Sequence, residues 1–174
     1  MKKIEDYVRS IPDFPEPGLI FRDVTSVLQD PDGLKLAIDS MMKLLEGVDF
    51  DVIVGAESRG FIFGAPLAYQ LHKPFVLVRK KGKLPGATIE RSYDLEYGSA
   101  TLEMHRDSIK PGQKVIVVDD LIATGGTIEA TAALIEELGG EVVKLIFLIE
   151  LAGLKGRERL NKYDLGAVIT YEGK

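Results

Sequence analysis

Two adjacent acids followed by a threonine- and glycine-rich loop are the part of the sequence with the clearest chemical meaning. The apolar residues 115–118 lead into Asp119 and Asp120, and the loop that follows opens a helical pattern. Glycines allow backbone N–H groups to approach an anion, and the N-terminus of a helix adds partial positive charge. The sequence therefore predicts a phosphate-binding loop formed by Ala123, Thr124, Gly125, Gly126 and Thr127.

The two acids narrow the choice of ligand. Carboxylates beside a phosphate repel it unless they face hydroxyl groups or a metal ion. A ribose 5-phosphate meets both requirements, with its phosphate on the loop and its 2- and 3-hydroxyls on Asp119 and Asp120. No lysine follows the glycines, so the loop is not a Walker motif and hydrolysis of a nucleoside triphosphate is disfavoured. Either fragment alone could be an ordinary strand-to-helix connection, whereas the whole string favours the phosphate site.

Composition excludes several other classes of protein. The 174 residues include 22 Lys and Arg, 27 Asp and Glu and no Cys, which gives a formal charge of −5. Without cysteine there are no disulfides, thiolate zinc sites or cysteine nucleophiles, and the acidic balance argues against a nucleic-acid partner. His72 and His105 form no metal-binding pattern, so no residue is predicted as a metal ligand. The N-terminus lacks the apolar segment of a signal peptide and no apolar run could span a bilayer, so we expect a cytoplasmic protein without a membrane partner.

The elements that must position these residues alternate along the chain. Apolar runs predict strands at 52–54, 75–78, 114–118, 142–149 and 167–171. Helical spacing and helix-start signals predict helices at 3–9, 61–71, 127–138 and from Pro31, with Asp30 as its N-cap. Strands that are apolar throughout are typical of a parallel sheet covered by helices on both faces. We therefore predict a single domain over residues 1–174 with an α/β fold, built on an open, mainly parallel, doubly wound sheet.

Residues 83–106 depart from this alternation. Residues 93–104 alternate between polar and apolar types, and Tyr97-Gly98-Ser99 has the composition of a turn. An alternating pattern is typical of a half-buried strand. This segment therefore predicts an antiparallel hairpin or arm inserted into the sheet.

The sequence resembles the phosphoribosyltransferases of the type I fold. Their signature is an apolar strand, two acids, two apolar residues and a Thr-Gly loop, which in that family binds the ribose 5-phosphate of phosphoribosyl pyrophosphate. Within the family, the resemblance extends to the members that act on adenine. The matching segments span the chain, at residues 12–18, 21–23, 57–61, 79–86, 92–98 and 154–158.

This resemblance implies a second anion site after the strand at 52–54. In the family, such a loop holds the pyrophosphate with backbone amides and an arginine, and it often has an unusual peptide geometry. The residues expected to bind pyrophosphate are Glu57, Ser58, Arg59, Arg79, Lys80 and Lys83. Without the family, Arg59 would more often be a surface residue, and the basic run from Arg79 a solvated face.

The resemblance also implies a flexible catalytic loop over residues 83–106, which keeps water from the reacting sugar. Glu96 is the expected catalytic group at the purine ring, together with Arg59, and Tyr97 is expected to pack in the loop. The alternative for Glu96 is an exposed acid on the hairpin.

Residues 1–30 are expected to include a hood that covers the base. By the resemblance, Phe21 stacks on the purine, while the backbone of Ile20 and Arg22 reads the edge of adenine; the alternative for Phe21 is an ordinary core aromatic. Family members that act on hypoxanthine and guanine place an acid at the position of Ala123, so its absence favours adenine.

The implied activity is transfer of 5-phosphoribosyl from phosphoribosyl pyrophosphate to adenine, which yields AMP and pyrophosphate in purine salvage. The resemblance further implies Mg²⁺, held mainly through phosphoribosyl pyrophosphate, and a homodimer. Two alternatives stay open at this point. One is a transferase for another purine, and the other is a regulator of the same fold that senses phosphoribosyl pyrophosphate.

Overall fold

A computed structural model describes residues 1–95 and 97–173. The helices are α1 (Thr25–Leu28), α2 (Pro31–Lys43), α3 (Arg59–Leu71), α4 (Gly126–Glu137) and α5 (Gly156–Arg159). The strands are β1 (Arg9–Pro12), β2 (Ile20–Asp23), β3 (Val52–Ala56), β4 (Phe75–Lys80), β5 (Thr88–Asp94), β6 (Ser99–His105), β7 (Lys114–Ile122), β8 (Glu141–Leu151) and β9 (Leu165–Tyr171). Short 3₁₀ helices lie at Ile4–Tyr7 and Ala152–Leu154. Among the described residues, no helix combines the length and apolar character that crossing a membrane requires.

Seven strands form the central sheet in the order β5-β6-β4-β3-β7-β8-β9. The pairs β3–β4, β3–β7, β7–β8 and β8–β9 are parallel, whereas β4–β6 and β5–β6 are antiparallel. The predicted mainly parallel α/β sheet is confirmed. The alternating segment forms the antiparallel hairpin β5–β6, which extends one edge of this sheet.

Helices cover both faces of the sheet, which confirms the doubly wound arrangement. On one face, Met41 of α2 and Phe63 of α3 are buried over Ile116 of β7. On the other face, Leu134 of α4 is buried over Val117 of β7, in a core shared with the hairpin. Successive residues of β7 thus enter different cores, as the alternation of side chains along a strand requires.

The start of α2 agrees with its sequence signal. The Asp30 side chain accepts hydrogen bonds from the N–H groups of Asp32 at 2.8 Å and Gly33 at 3.1 Å, and Pro31 occupies the first turn. This satisfies two of the N–H groups that a helix start leaves without partners.

The structure corrects three element boundaries. The N-terminal helix predicted over residues 3–9 is only the 3₁₀ helix Ile4–Tyr7, because Arg9 begins β1, which pairs antiparallel with β2. Helix α3 begins at Arg59, two residues before the apolar run on which the prediction relied. Strand β7 continues to Ile122, so Asp119 and Asp120 belong to the strand rather than following it.

Candidate active site

Asp119 and Asp120 lie near the C-terminal end of β7, at the edge of the sheet where the parallel strands end. Asp120 is only 4% exposed, and its Oδ2 accepts a hydrogen bond of 2.6 Å from Nε of Arg59. Asp119 Oδ1 accepts a hydrogen bond of 2.8 Å from the backbone N–H of Asp120. Burial raises the pKa of the Asp119 carboxyl well above its usual range, and the negative charge of Asp120 acts in the same direction. Hydroxyl groups or a cation in the cleft would relieve this repulsion.

Helix α3 starts directly beside these acids because residue 60 is glycine. A Cβ at Gly60 would lie 2.9 Å from the carbonyl oxygen of Val118 and 3.1 Å from Oδ1 of Asp119. Real Cβ atoms essentially never approach a carbonyl oxygen this closely, so any side chain here would push α3 from β7. The missing side chain therefore brings the positive N-terminal end of α3 to the two carboxylates.

A polar cavity of about 380 Å³ opens in front of these residues. Its lining combines Leu121 with groups that were predicted to belong to separate sites, namely Glu57, Ser58, Arg59, Lys80, Asp119, Asp120 and Thr127. Carboxylates for hydroxyl groups and cations for phosphates thus share one space. The predicted sugar and pyrophosphate regions are parts of a single cleft.

The Thr-Gly loop packs against the segment that begins α5. Gly125 has a φ of +88°, which favours glycine, and it forms the N-cap of α4. A Cβ at Gly156 would lie 2.4 Å from the carbonyl oxygen of Ala123, so the loop and α5 are in close backbone contact. Of the five predicted loop residues, all of them described, only Thr127 lines the polar cavity. Its hydroxyl donates a hydrogen bond of 3.1 Å to the phenol oxygen of Tyr93, which ties α4 to the hairpin.

Glu57 lines the polar cavity and is hydrogen-bonded to the end of β4. Its carboxylate accepts hydrogen bonds from the backbone N–H of Lys80 at 2.7 Å and from Nε of Arg79 at 3.3 Å. Although burial acts to raise it, these donors lower the pKa of Glu57 below its ordinary value. The Glu57 side chain therefore anchors the end of β4, and its contact with pyrophosphate stays a prediction. The expectation of an unusual peptide geometry is met, because the Glu57–Ser58 peptide is cis.

The basic residues at and after the end of β4 differ in whether they line the polar cavity. The guanidinium of Arg79 is paired with Glu57, and Arg79 is absent from the lining of the polar cavity. Lys80 lines the cavity, whereas Lys83 is exposed on the turn beyond it. The structure therefore brings Lys80 to the cleft and leaves Arg79 and Lys83 outside its lining.

A smaller, mainly apolar cavity of about 150 Å³ adjoins the polar one. The predicted base contacts Ile20, Phe21 and Arg22 all line it. The two cavities have Arg59, Asp120 and Leu121 in common. A flat apolar group in the small cavity would thus lie next to a sugar phosphate in the large one.

Strand β2, which carries the predicted base contacts, is held by contacts of its own side chains. Arg22 donates from Nη1 to Oγ of Ser10 at 2.5 Å, and its guanidinium lies 3.9 Å from the ring centroid of Tyr171. Phe21 meets Phe14 edge to face, with ring centroids 5.3 Å apart. Phe21 is therefore a partly buried wall of a cavity and not an interior core aromatic.

Sequence reasoning missed the opposite wall of the small cavity. Leu121 and Leu151 line it from the ends of β7 and β8. Their apolar side chains carry no chemical signal, but their position at the carboxyl ends of parallel strands, where ligands bind in such sheets, could have identified them.

The tip of the hairpin is described only in part. Glu96, the predicted catalytic acid, lies outside the described residues. Tyr97 is 88% exposed, so the structure shows its ring directed to solvent and not packed as expected.

Known proteins resemble this chain in both sequence and fold. The family model described as phosphoribosyl transferase domain matches residues 23–170. The adenine phosphoribosyltransferase of Butyrivibrio fibrisolvens is 75% identical over 174 residues, which cover 100% of this chain and 96% of the relative.

Two solved structures show the same similarity. The adenine phosphoribosyltransferase of Thermoanaerobacter pseudethanolicus superposes with a TM-score of 0.92 at 51% identity, covering 97% of this chain and 98% of that one. The Saccharomyces cerevisiae adenine phosphoribosyltransferase, complexed with D-2,5-dideoxy-2,5-imino-altritol 1,6-bisphosphate and adenine, gives a TM-score of 0.88 at 38% identity. That match covers 95% of this chain and 96% of the yeast chain.

Proposed function

The chain belongs to the phosphoribosyl transferase domain family, and from this premise we infer that its cleft transfers 5-phosphoribosyl from phosphoribosyl pyrophosphate to adenine. The products are AMP and pyrophosphate, so the reaction salvages a purine. Relatives that match the full length of the chain carry the name of this activity. This sequence-wide agreement favours adenine over other purines and an enzyme over a sensing regulator.

This conclusion rests on the junction of a polar cavity with a mainly apolar one. The polar cavity offers carboxylates and cations, and the small cavity offers apolar walls from β2, Leu121 and Leu151. Arg59, Asp120 and Leu121 belong to both linings, so a purine and an activated sugar would meet at these residues. Holding two reactants side by side in this way accounts for a large part of the rate enhancement of a bimolecular transfer.

In the proposed reaction, the bond from the anomeric carbon to the pyrophosphate oxygen breaks and a bond to N9 of adenine forms. Asp119 and Asp120 accept hydrogen bonds from the ribose hydroxyls, and the 123–127 loop at the start of α4 holds the 5-phosphate. Ser58 and Arg59 bind the leaving pyrophosphate at the start of α3, with Lys80 adding positive charge. The N9 proton of adenine is lost, and Glu96 is our candidate to accept it or to stabilise the charge that develops.

In this proposal, residues 1–30 and 83–106 cover the bound substrates. We propose that the whole chain acts as one domain in which β2 supplies the hood over the base. The part of the hairpin nearest its turn would cover the sugar, since Tyr93 is linked to Thr127 at the phosphate end of the cleft, whereas Leu102 and Met104 hold β6 in the core of the sheet. Closure would keep water from an oxocarbenium-like sugar.

We propose Mg²⁺ as the cofactor. Mg²⁺ prefers oxygen ligands and commonly binds through substrate phosphates and one or two carboxylates. Asp119 and Asp120 fit this role, since both line the cavity and repel each other without a cation. Among the described residues no cluster of three or more ligating side chains exists, so the substrate and water would supply the other ligands. When bound, the ion would neutralise negative charge on the leaving pyrophosphate.

We also propose a homodimer. Helix α3 exposes two apolar side chains seven residues apart, and β4, which contacts α3, exposes a leucine: Ile62 is 41% exposed, Tyr69 87% and Leu77 36%. Contiguous exposed apolar surface marks interaction sites in soluble proteins. Sedimentation velocity of the purified protein, with Tyr69→Glu as the disrupting variant, tests this. Localisation in the cytoplasm stays a prediction from the sequence, and cell fractionation tests it.

Steady-state assays test the proposed function. The purified protein is incubated with phosphoribosyl pyrophosphate, Mg²⁺ and adenine, guanine, hypoxanthine or xanthine in turn, and nucleotide and pyrophosphate are quantified. We expect AMP and pyrophosphate in equal amounts with adenine and no comparable product with the other bases. Turnover of another purine without AMP formation would contradict the assignment of the base.

A further inference from the structure

Glu103 is a buried carboxylate outside the lining of either cavity. It is only 4% exposed, and it lies in β6 opposite Arg79 of β4. Its Oε1 accepts a hydrogen bond of 2.7 Å from the backbone N–H of Leu84. The backbone N–H groups of Leu84, Gly82 and Lys83, which outweigh the effect of burial, lower the pKa of this carboxyl below its ordinary value. The N–H groups of residues 82–84 lie around this one anion as a nest, in which Leu84 makes the hydrogen bond to Glu103 while Lys83 donates to the carbonyl oxygen of Lys80 at 3.2 Å.

The turn that forms this nest is held along β6. The N–H of Lys81 donates to the carbonyl oxygen of Thr101 at 3.0 Å, and Nε2 of His105 lies 2.8 Å from the carbonyl oxygen of Pro85. Thr101, Glu103 and His105 alternate along the strand and so share one side of β6. Glu103 is the middle of the three contacts and is the member with a full charge.

Gly82 allows the backbone to adopt the conformation that forms the nest. Its φ is +90°, in the left-handed region, and a Cβ there would meet nothing within 4 Å. Glycine is therefore needed for the conformation of the turn and not for space.

The turn begins at the edge of the polar cavity. Lys80 lines that cavity, and its own N–H is fixed by Glu57 at 2.7 Å. The backbone from Lys80 to Leu84 thus runs between two carboxylates, with Glu57 at the cleft and Glu103 behind it. A change at Glu103 would be transmitted to Lys80 through only a few residues of a tight turn.

We propose that Glu103 is a positioning residue for the transfer reaction, which gathers the N–H groups of residues 82–84 and thereby holds Lys80 at the pyrophosphate end of the cleft. The proposal rests on the proposed function, because it needs a pyrophosphate group to lie beside Lys80. Glu103 itself does not touch the substrate. Glu103 therefore affects the binding of phosphoribosyl pyrophosphate and not the binding of adenine.

The first test is Glu103→Gln, which keeps the size of the side chain but replaces one acceptor oxygen by a donor. Loss of the negative charge weakens the hydrogen bond from Leu84 and the attraction of the neighbouring N–H groups, and should raise the KM for phosphoribosyl pyrophosphate about tenfold. The KM for adenine should stay within about twofold, since β2 and its cavity are unaffected. Glu141→Gln is the matched control, because it makes the same change at an exposed strand position.

Hydrogen exchange gives a readout that does not depend on the reaction. In Glu103→Gln, the amides of Gly82, Lys83 and Leu84 should exchange about tenfold faster, while that of Ile116 in the core strand β7 stays protected. Faster exchange throughout the chain, or no change at residues 82–84, would overturn the proposal.

A second variant changes the turn instead of β6. It tests the proposal even if Glu103→Gln does not fold. Gly82→Ala strains the left-handed backbone without a steric clash, and we expect the same selective rise in the KM for phosphoribosyl pyrophosphate. Gly112→Ala is its control, because Gly112 has a φ of +85° and equally open surroundings. An equal rise in the KM for both substrates, or none, overturns the role of Glu103 while wild-type activity stands. If the wild type makes no AMP from adenine, the proposed function fails, and this role in the reaction fails with it.

Discussion

Arg59 and Asp120 are joined by a hydrogen bond of 2.6 Å between Nε and Oδ2, although 61 residues separate them in the chain. Both residues line both cavities. The Asp120 side chain is almost fully buried, whereas the Arg59 side chain is about half exposed to the cleft. The pair therefore connects the carboxyl end of β7 with the start of α3 at the point where sugar, base and leaving group would meet.

Asp120→Asn should impair use of phosphoribosyl pyrophosphate. The amide keeps the shape of the side chain but loses the charge that pairs with Arg59 and that, in the proposed reaction, binds sugar hydroxyls. We expect kcat/KM for phosphoribosyl pyrophosphate to fall by about tenfold to a hundredfold, because hydrogen bonds to charged groups contribute about 1.5–3 kcal/mol. Asp39→Asn, which removes an exposed carboxylate paired with Lys35, is the control. Unchanged kinetics in the Asp120 variant would remove this residue from the site.

Asp119→Asn should stabilise the ligand-free protein at neutral pH. A carboxyl whose pKa is raised in the folded state binds its proton more tightly there than in the unfolded chain. The free energy of unfolding therefore falls as pH rises from the unfolded pKa through the folded one, and Asp119 costs stability above that range. The asparagine variant lacks this cost and retains an acceptor for the N–H of Asp120.

Thermal unfolding of the wild type and Asp119→Asn checks this sign. We expect the variant's advantage in Tm to be small at about pH 4 and to grow towards about pH 8. Its activity should fall, since in the proposed reaction the same carboxylate binds the ribose hydroxyls. A variant less stable than wild type at the higher pH would show that Asp119 is not under the strain inferred from its burial.

Gly60→Ala should lower both stability and activity. The added methyl group would lie 2.9 Å from the backbone oxygen of Val118, which cannot move without distorting β7. We expect a loss of about 1–3 kcal/mol in the free energy of unfolding, as for other overpacked sites, and weaker pyrophosphate inhibition. Gly166→Ala is the matched control, because its Cβ would meet Leu44 and Lys144 at an ordinary 3.4 Å. Denaturant unfolding measures both variants, and equal stability of the two would refute the close packing of α3 on β7.

Glu96→Gln should reduce turnover more than adenine affinity. The expectation comes from the family resemblance, since this residue lies outside the part of the chain that the structure describes. Loss of a group that acts in the transition state lowers kcat by about a hundredfold or more, with a smaller change in binding. Pre-steady-state and steady-state rates with adenine measure the two effects, and Glu141→Gln serves as the exposed control. A variant that loses adenine affinity at unchanged kcat would reassign Glu96 to binding.

The sequence predicted the parts of the fold that depend on local pattern. Continuous apolar residues located β3, β7 and β8, and Asp30 with Pro31 located the start of α2. Strand β7 was ended too early at Val118, because a rule based on apolar continuity stops at charged residues even where the hydrogen-bonded ladder continues.

Contacts between residues that are far apart in the chain could not be predicted from the local sequence pattern. Nothing in the local pattern shows that Glu57 pairs with Arg79 or that Arg59 pairs with Asp120, because these contacts depend on how the strands are ordered in the sheet. The β1–β2 pairing was missed for the same reason, since the Pro-rich connection conceals two short strands. Glu103 carried no signal at all, because an acid in an alternating hairpin reads as a solvated side chain.

A crystal structure with AMP and pyrophosphate bound would show whether the two cavities form one active site. We expect the purine between β2 and the side chains of Leu121 and Leu151, and the ribose hydroxyls on Asp119 and Asp120. We expect the 5-phosphate on the 123–127 loop and pyrophosphate at Ser58 and Arg59. A nucleotide bound elsewhere, or one whose base lies outside the small cavity, would contradict the claim that the two adjoining cavities form one active site.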